Sequence, residues 1–321
     1  MRYLVTGGAG FIGSHLCDLL IARGEEVVAL DDLSTGRRLN LAQLADSPRF
    51  RLVVGSTADA PLVGDLVRSC GVVVHLAAAV GVDLIRRQPL RSALSSVAGT
   101  MTVLEAARQH ERPLLISSSS EVYGYSAPVP VGEDTERVSG APTDLRASYS
   151  ASKALEESVA LACAHEHGLP VVVARLFNTV GPRQRSDYGM VIPRFVDHAR
   201  AFTPLRVYGD GRQTRCFGHV LDVVEALAAL AGNPAAAGDV FNVGSQEEVS
   251  VRELAERVMR AAGVALPLEL VPFGDDFREA RRRVPDIAKI AARVGWRPTR
   301  DLETIIRDVL AERAPALASA S

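Results

Sequence analysis

Cysteine is scarce in this chain of 321 residues: there are four, at positions 17, 70, 163 and 216. None forms a C-x-x-C pair, so neither a disulfide framework nor a zinc site is expected, and a reducing compartment fits. His165 and His167 flank Glu166, but the spacing is not H-E-x-x-H. They read as a solvated helix end, and no metal is expected. Charge of one sign is also missing. The formal net charge is -2, so no long-range field favours nucleic acid or an anionic membrane. Any anionic ligand must be held by local arginines. No apolar run is long enough to span a bilayer. Met1-Arg2-Tyr3-Leu4-Val5 runs straight into a strand pattern, without a charged-then-apolar leader, so a soluble, cytoplasmic protein is expected. Internal repeats are absent as well.

Hydrophobic residues make up 47% of the chain. That is enough for one large domain, or for a domain with a smaller lobe. Short runs of Val, Leu and Ile predict strands at Tyr3–Thr6, Val27–Asp31, Arg51–Val54, Val72–His75, Leu114–Ser117 and Val171–Leu176. Their continuity is that of strands buried on both faces. Helical patterns fall between and after them, at Ser14–Arg23, Pro61–Cys70, Val97–His110 and Tyr149–His167. This alternation predicts an α/β fold, a doubly wound parallel sheet with helices on both faces. The second half is broken by Pro182, Pro193, Pro204, Gly209 and Gly211. Helices are predicted there at Val220–Leu230, Ser250–Ala262 and Leu302–Glu312. Residues 1–175, with about 217–244, are expected to form the dinucleotide-binding domain. Residues 176–216 and 245–313 are expected to form a smaller α/β substrate lobe, and 314–321 a disordered tail.

Residues 6–13 read Thr-Gly-Gly-Ala-Gly-Phe-Ile-Gly, between a predicted strand and a predicted helix. Gly7 suits a tight turn, Gly10 a close backbone approach to a pyrophosphate, and Gly13 close packing of helix on sheet. The helix N-terminus, with Phe11 and Ile12, then faces the phosphates. Asp31 closes the second strand. A carboxylate there accepts from ribose hydroxyls and repels a 2′-phosphate, which favours NAD over NADP. An ordinary strand-to-helix turn is the structural alternative.

Tyr149 and Lys153 are four apart in a helical pattern and so share a face. A nearby ammonium favours phenolate, and such a tyrosine can take a proton from a hydroxyl. A surface Tyr/Lys pair would look the same. Ser118-Ser119-Ser120-Glu121 follows a buried strand at the sheet edge where ligands bind.

Taken together, these motifs resemble the extended short-chain dehydrogenase/reductases, specifically their NAD-dependent nucleotide-sugar epimerases and dehydratases. The resemblance covers nearly the whole chain. It runs through Thr6–Gly13, residues 31–36, His75-Leu76-Ala77-Ala78, Ser118–Gly124, Tyr149/Lys153, Arg175–Arg183, Tyr208–Phe217 and Phe241-Asn242-Val243-Gly244. It implies a Rossmann-type sheet holding a tightly bound, recycled NAD. It also implies that Tyr149 is the base, Lys153 its partner, and Ser119 the catalytic hydroxyl beside Ser120 and Glu121. Asp31, Asp32, Ser34, Thr35 and Gly36 would surround the adenosine, and Leu76, Ala77 and Ala78 would line the cofactor cleft. Two positions depart from the pattern. Ser56 follows Gly55 where an aspartate is common, and Ser96 replaces a common asparagine before Val97.

For the substrate, the resemblance implies a nucleotide sugar, with a UDP-sugar favoured. Asn178 would meet its diphosphate. Val191 and Tyr208 would border the base pocket, and Gln213 and Arg215 would contact ribose and phosphate. One arginine of the cluster Arg278, Arg281, Arg282 and Arg283 would add a phosphate contact, with Arg278 the nominee. Guanidinium forks suit phosphate oxygens. Arg185, in Arg-Gln-Arg-Ser-Asp, would meet a sugar carboxylate, or else pair with Asp187. A homodimer through the Tyr149–His167 helix is also implied.

Oxidation at C4 would be the shared first step. The 4-keto product can then be re-reduced on its other face, can lose carbon dioxide from a C5 carboxylate, or can lose water. Glu121 is shared with decarboxylases and some dehydratases. Tyr-Ser-Ala-Ser-Lys departs from the Tyr-Asp-Glu-Gly-Lys of the decarboxylases. The expectation is therefore a 4-epimerase acting on UDP-glucuronate. A decarboxylase stands second and a 4,6-dehydratase third, with a non-catalytic NAD(H) sensor as the alternative from another class.

Overall fold

The computed structural model describes residues 1–78, 87–138, 140–141, 143–144, 147–187, 189–272 and 280–313. Seven strands form one sheet, in the order Asp239–Val243, Val171–Leu176, Leu114–Ser119, Val72–His75, Arg2–Thr6, Glu26–Asp31, Phe50–Val54. Every neighbouring pair is parallel. The fold is thus the expected α/β, Rossmann-type sheet. The edge strand Asp239–Val243 escaped the sequence pattern, because Asp239 and Asn242 interrupt its apolar run. Asn242 is nevertheless fully buried.

Both faces of the sheet are covered. Val5, Ala29, Val74, Leu115 and Val172 pack against Leu16, Leu20, Val220, Val224 and Leu227. Their strand neighbours Leu4, Val28, Val73, Leu114, Val171 and Val173 pack on the other side against Val63, Val67, Val103 and Ala107. Side chains alternate along a strand, so an apolar layer on each face demands the unbroken Val/Leu runs.

Helix starts differ most from expectation. The first helix is Phe11–Ala22, with Gly10 as its N-cap, so the glycine loop itself leads into the first turn. Another helix begins at Pro89, well before Val97. Proline suits that position, where its missing N–H has no intrahelical acceptor to lose. Val191, expected only as a pocket wall, opens the helix Val191–Arg200. Pro193 lies in its first turn and is tolerated for the same reason.

A third apolar cluster joins that helix to Val251–Ala262 and Leu302–Glu312 through Ile192, Phe195, Leu254, Val258, Ile305 and Val309. Leu205–Tyr208 pairs in parallel with Leu268–Val271 beside it. Among the described residues no helix is long and apolar enough to cross a membrane.

Candidate active site

The strand order reverses between Arg2–Thr6 and Val72–His75, whose carboxyl ends lie side by side. Ligands of open α/β sheets bind at such a switch point. The glycine loop fills it. Gly7 has φ +68°, and a Cβ there would stand 2.9 Å from the Ala77 nitrogen. At Gly13 a Cβ would stand 2.2 Å from the Gly7 carbonyl oxygen. Loop, helix and the Leu76–Ala77 segment therefore meet backbone to backbone. No side chain caps the helix at Gly10, which leaves its N-terminal dipole to the loop. This cradle fits a pyrophosphate.

Asp31 is buried at the end of its strand. Its carboxylate accepts from Ala9 N at 2.9 Å and Leu33 N at 2.8 Å. Burial raises its pKa despite those bonds. Gly36 packs directly on the carboxylate. Two backbone bonds leave a carboxylate with lone pairs for ribose hydroxyls. Asp32 holds Ser34 through both N and Oγ. Thr35, Leu76, Ala77 and Ala78 are half-buried around the same cleft. Ser56 is occupied locally, accepting from Ala58 N at 3.1 Å.

Tyr149 and Lys153 lie on the helix Ala147–His167, which packs against the strand Leu114–Ser119. Lys153 is 2% exposed. Its Nζ donates to Ser117 O at 3.1 Å and to Glu156 Oε2 at 2.9 Å. Tyr149 shares a hydrogen bond with Ser119. Burial pushes its phenol well above the usual range, the Ser119 bond opposes this, and the charges of Glu121 and Glu156 add to it. Ser119 Oγ also accepts from Glu121 N at 3.2 Å, and Ser120 is buried beside it. The sequence-nominated Ser119, Glu121, Tyr149 and Lys153 therefore come together.

One arginine of the sequence-nominated cluster joins this group, at Glu121 rather than as an assigned phosphate contact. Arg283 is 5% exposed, whereas Arg281 and Arg282 are exposed. Its Nη1 donates to Glu121 Oε1 at 2.6 Å and its Nη2 to Gly124 O at 3.1 Å. Arg282 instead pairs with Glu248. Arg278, the sequence nominee from this cluster, lies outside the described residues.

The remaining substrate candidates are linked through backbone. Asn178 Nδ2 donates to Cys216 O at 3.0 Å. The strand Thr214–Cys216 carries Arg215, and Thr214 N donates to Arg281 O at 2.9 Å. Gln213 Nε2 reaches Tyr208 O at 2.9 Å. This chain of contacts runs from Asn178 to the segment that bears Arg283. Arg185 pairs with Asp187 on a loop. The charge of Arg37 also acts on Asp187, which puts that loop near the Asp31–Gly36 side of the cleft.

These features define a nucleotide-cofactor enzyme with a Tyr/Lys pair. A family model described as GDP-mannose 4,6 dehydratase matches residues 4–309. The chain belongs to that family, within the nucleotide-sugar branch of the extended short-chain dehydrogenase/reductases. It is 36% identical over 314 residues to the UDP-N-acetyl-alpha-D-glucosaminuronate decarboxylase of Bacillus cytotoxicus, covering 96% of each chain. It is also 36% identical to UDP-glucuronic acid decarboxylase 1 of Arabidopsis thaliana, over 93% of this chain and 66% of that one. Among solved structures it is similar to DesIV, the dTDP-glucose 4,6-dehydratase of Streptomyces venezuelae with NAD bound. The TM-score is 0.89 at 30% identity, with 97% and 96% of the two chains covered.

Proposed function

We propose that this chain is an NAD-dependent decarboxylase of a nucleotide-linked uronic acid, UDP-glucuronate or its N-acetylglucosamine counterpart. The observation that carries this reading is the buried Arg283 held at Glu121, next to Ser119 and Tyr149. A sugar carboxylate entering a site that excludes water needs a cationic partner. The names of the two decarboxylase relatives support the same reading. The expected order of 4-epimerase before decarboxylase is therefore reversed. The Tyr-Ser-Ala-Ser-Lys segment that argued for it says little about the fate of the keto sugar. Among the described residues its inner Ser150 and Ser152 bond back to Ala147 O and Tyr149 O.

The glycine loop and Asp31 would hold NAD, which supplies a hydride acceptor at the sugar C4. Tyr149 takes the C4 hydroxyl proton while Ser119 hydrogen-bonds the same oxygen. Lys153 favours the phenolate. The ketone then lies β to the C5 carboxylate, so the C5–carboxyl bond can break and leave its electron pair in an enolate. Arg283 orients the carboxylate before it leaves, and the enolate takes a proton at C5 from water. The C4 ketone would then take back the hydride, while Tyr149 returns its proton to the C4 oxygen.

The test is incubation of the purified protein with UDP-glucuronate, UDP-N-acetylglucosaminuronate, UDP-glucose and thymidine-linked glucose, read by product mass. Loss of carbon dioxide from a uronate is expected. An isomer of unchanged mass would make the enzyme an epimerase, and loss of water a dehydratase. Tyr149→Phe is expected to lower turnover about 10²- to 10⁴-fold while leaving the fold intact. A variant as active as the parent would remove Tyr149 from the chemistry.

A further inference from the structure

The helix of the Tyr/Lys pair carries a buried carboxylate that the proposed chemistry does not use. Glu156 is 1% exposed and receives three hydrogen bonds. Ser96 Oγ donates to its Oε1 at 2.8 Å. Thr100 Oγ1 donates to Oε2 at 3.0 Å, and Lys153 Nζ donates to Oε2 at 2.9 Å. Ser96 departs from the family pattern, and its hydroxyl is spent here.

The network continues inward with its proton order fixed. Thr100 gives its one proton to Glu156, so it accepts from His75 Nε2 at 3.0 Å. His75 then carries its proton on Nε2 and accepts at Nδ1 from Thr6 Oγ1, 2.7 Å away. Thr6 Oγ1 in turn accepts from Ala77 N at 3.2 Å. Burial, and then the charge of Lys153, lower the pKa of His75 to about 4, so the ring is neutral. Every donor points toward Glu156, which is the single anion at the end of the chain. Burial works against that charge, but the Lys153 ammonium and the Lys153 and Ser96 hydrogen bonds prevail, and the Glu156 pKa is lowered.

We propose that Glu156 is a positioning residue of this site: it fixes the Lys153 ammonium against Ser117 and, by offsetting that charge, sets the pH at which Tyr149 gives up its proton. The inference rests on the Tyr149–Lys153 pair read above, not on which sugar is the substrate. The charges that raise the Tyr149 pKa are Glu156 from its own helix and Glu121, with Arg283 on it, from the segment after Leu114–Ser119; Lys153 lies one turn along the same helix face. Those facing Glu156 are Lys153 and the neutral His75. Lys153 with Glu156 is nearly neutral as a unit, so it favours phenolate less than a free ammonium would.

The experiment follows phenolate absorbance against pH in the whole protein, with and without Tyr149→Phe, so that the difference isolates Tyr149. In Glu156→Gln the Tyr149 midpoint is expected to fall by about one pH unit. Glu156→Asp, which keeps the charge, is expected to restore most of the parent value. Glu156→Met fills similar space without a polar group and gives the same downward shift should the glutamine variant not fold. The acid limb of the turnover–pH profile is expected to move with the midpoint. An unmoved midpoint in folded Gln or Met variants overturns the proposal, as does an equal shift in Glu157→Gln. Absence of turnover on every sugar tested would count against the proposed function alone, since the absorbance readout needs no substrate.

Discussion

Glu156 and Glu157 are adjacent and equally buried, each 1% exposed, yet they serve different halves of the molecule. Successive helix positions diverge by about 100°, and the two carboxylates turn to opposite neighbours. Glu157 takes both ends of the Arg175 guanidinium, at 2.9 and 2.8 Å. Arg175 also bonds Tyr123 Oη at 2.8 Å and lies over its ring. Tyr123 Oη donates to Asn242 Oδ1, and Asn242 Nδ2 reaches Val131 O and Asp286 O. That cluster ties helix, sheet edge and the Arg283 segment together with fixed, bidentate geometry. Glu156 makes one single-pronged bond to an ammonium, and its other partners are hydroxyls. The first arrangement braces the scaffold, and the second can adjust a charge.

Breaking the brace gives the largest expected effect. Glu157→Gln removes the carboxylate charge that partners the buried Arg175 guanidinium, and such a break costs about 3–5 kcal/mol. Urea unfolding of parent and variant measures it. A loss below about 1 kcal/mol would mean that the neutral acceptors on Arg175, Tyr123 Oη and Glu133 O, suffice, and the contrast with Glu156 would collapse.

The same comparison explains what was legible in the sequence. The glycine loop, Asp31, and Tyr149 with Lys153 depend on local spacing, so they could be nominated from the chain. Glu156 had a local signal as well, three positions after Lys153, but nothing local says that Ser96 and Thr100 would meet it. Arg283 had none to separate it from Arg281 and Arg282. It turns inward because Val131 N bonds Val284 O and Asp286 N bonds Val131 O, an extended pairing with a segment about 150 residues earlier. The edge strand Asp239–Val243 was hidden for a related reason. Its polar residues are tolerated only because Asn242 is satisfied by Tyr123, Val131 and Asp286.

A second, smaller effect separates the buried network from the brace by its acid sensitivity. His75 is 1% exposed, and its pKa is lowered from 6.5 to about 4. Between those values the unfolded chain binds a proton that the folded chain refuses. Stability should therefore fall as pH drops from 6.5 toward 4, by about 3 kcal/mol for this one group. His15, also lowered to about 4 by burial, contributes in the same window. His75→Gln should flatten the slope of unfolding free energy against pH there. An unchanged slope would mean that His75 does not stay neutral in the folded protein.

The smallest effect on stability decides between two arginines. Arg185 pairs with Asp187, with side chains 31% and 58% exposed, and such pairs are worth about 0–1 kcal/mol. Arg283 is 6% exposed in its side chain and lies against Glu121, the carboxyl group nearest the proposed chemistry. Arg185→Ala should therefore leave the melting behaviour nearly unchanged and spare most turnover on a uronate. Arg283→Gln should lower that turnover far more, while leaving binding of a neutral UDP-sugar less affected. Were the order reversed, with Arg185→Ala abolishing carbon dioxide release and Arg283→Gln tolerated, the sugar carboxylate would be held from the loop. Arg283 would then be a clasp for Glu121, and its burial would report on the scaffold rather than on the substrate.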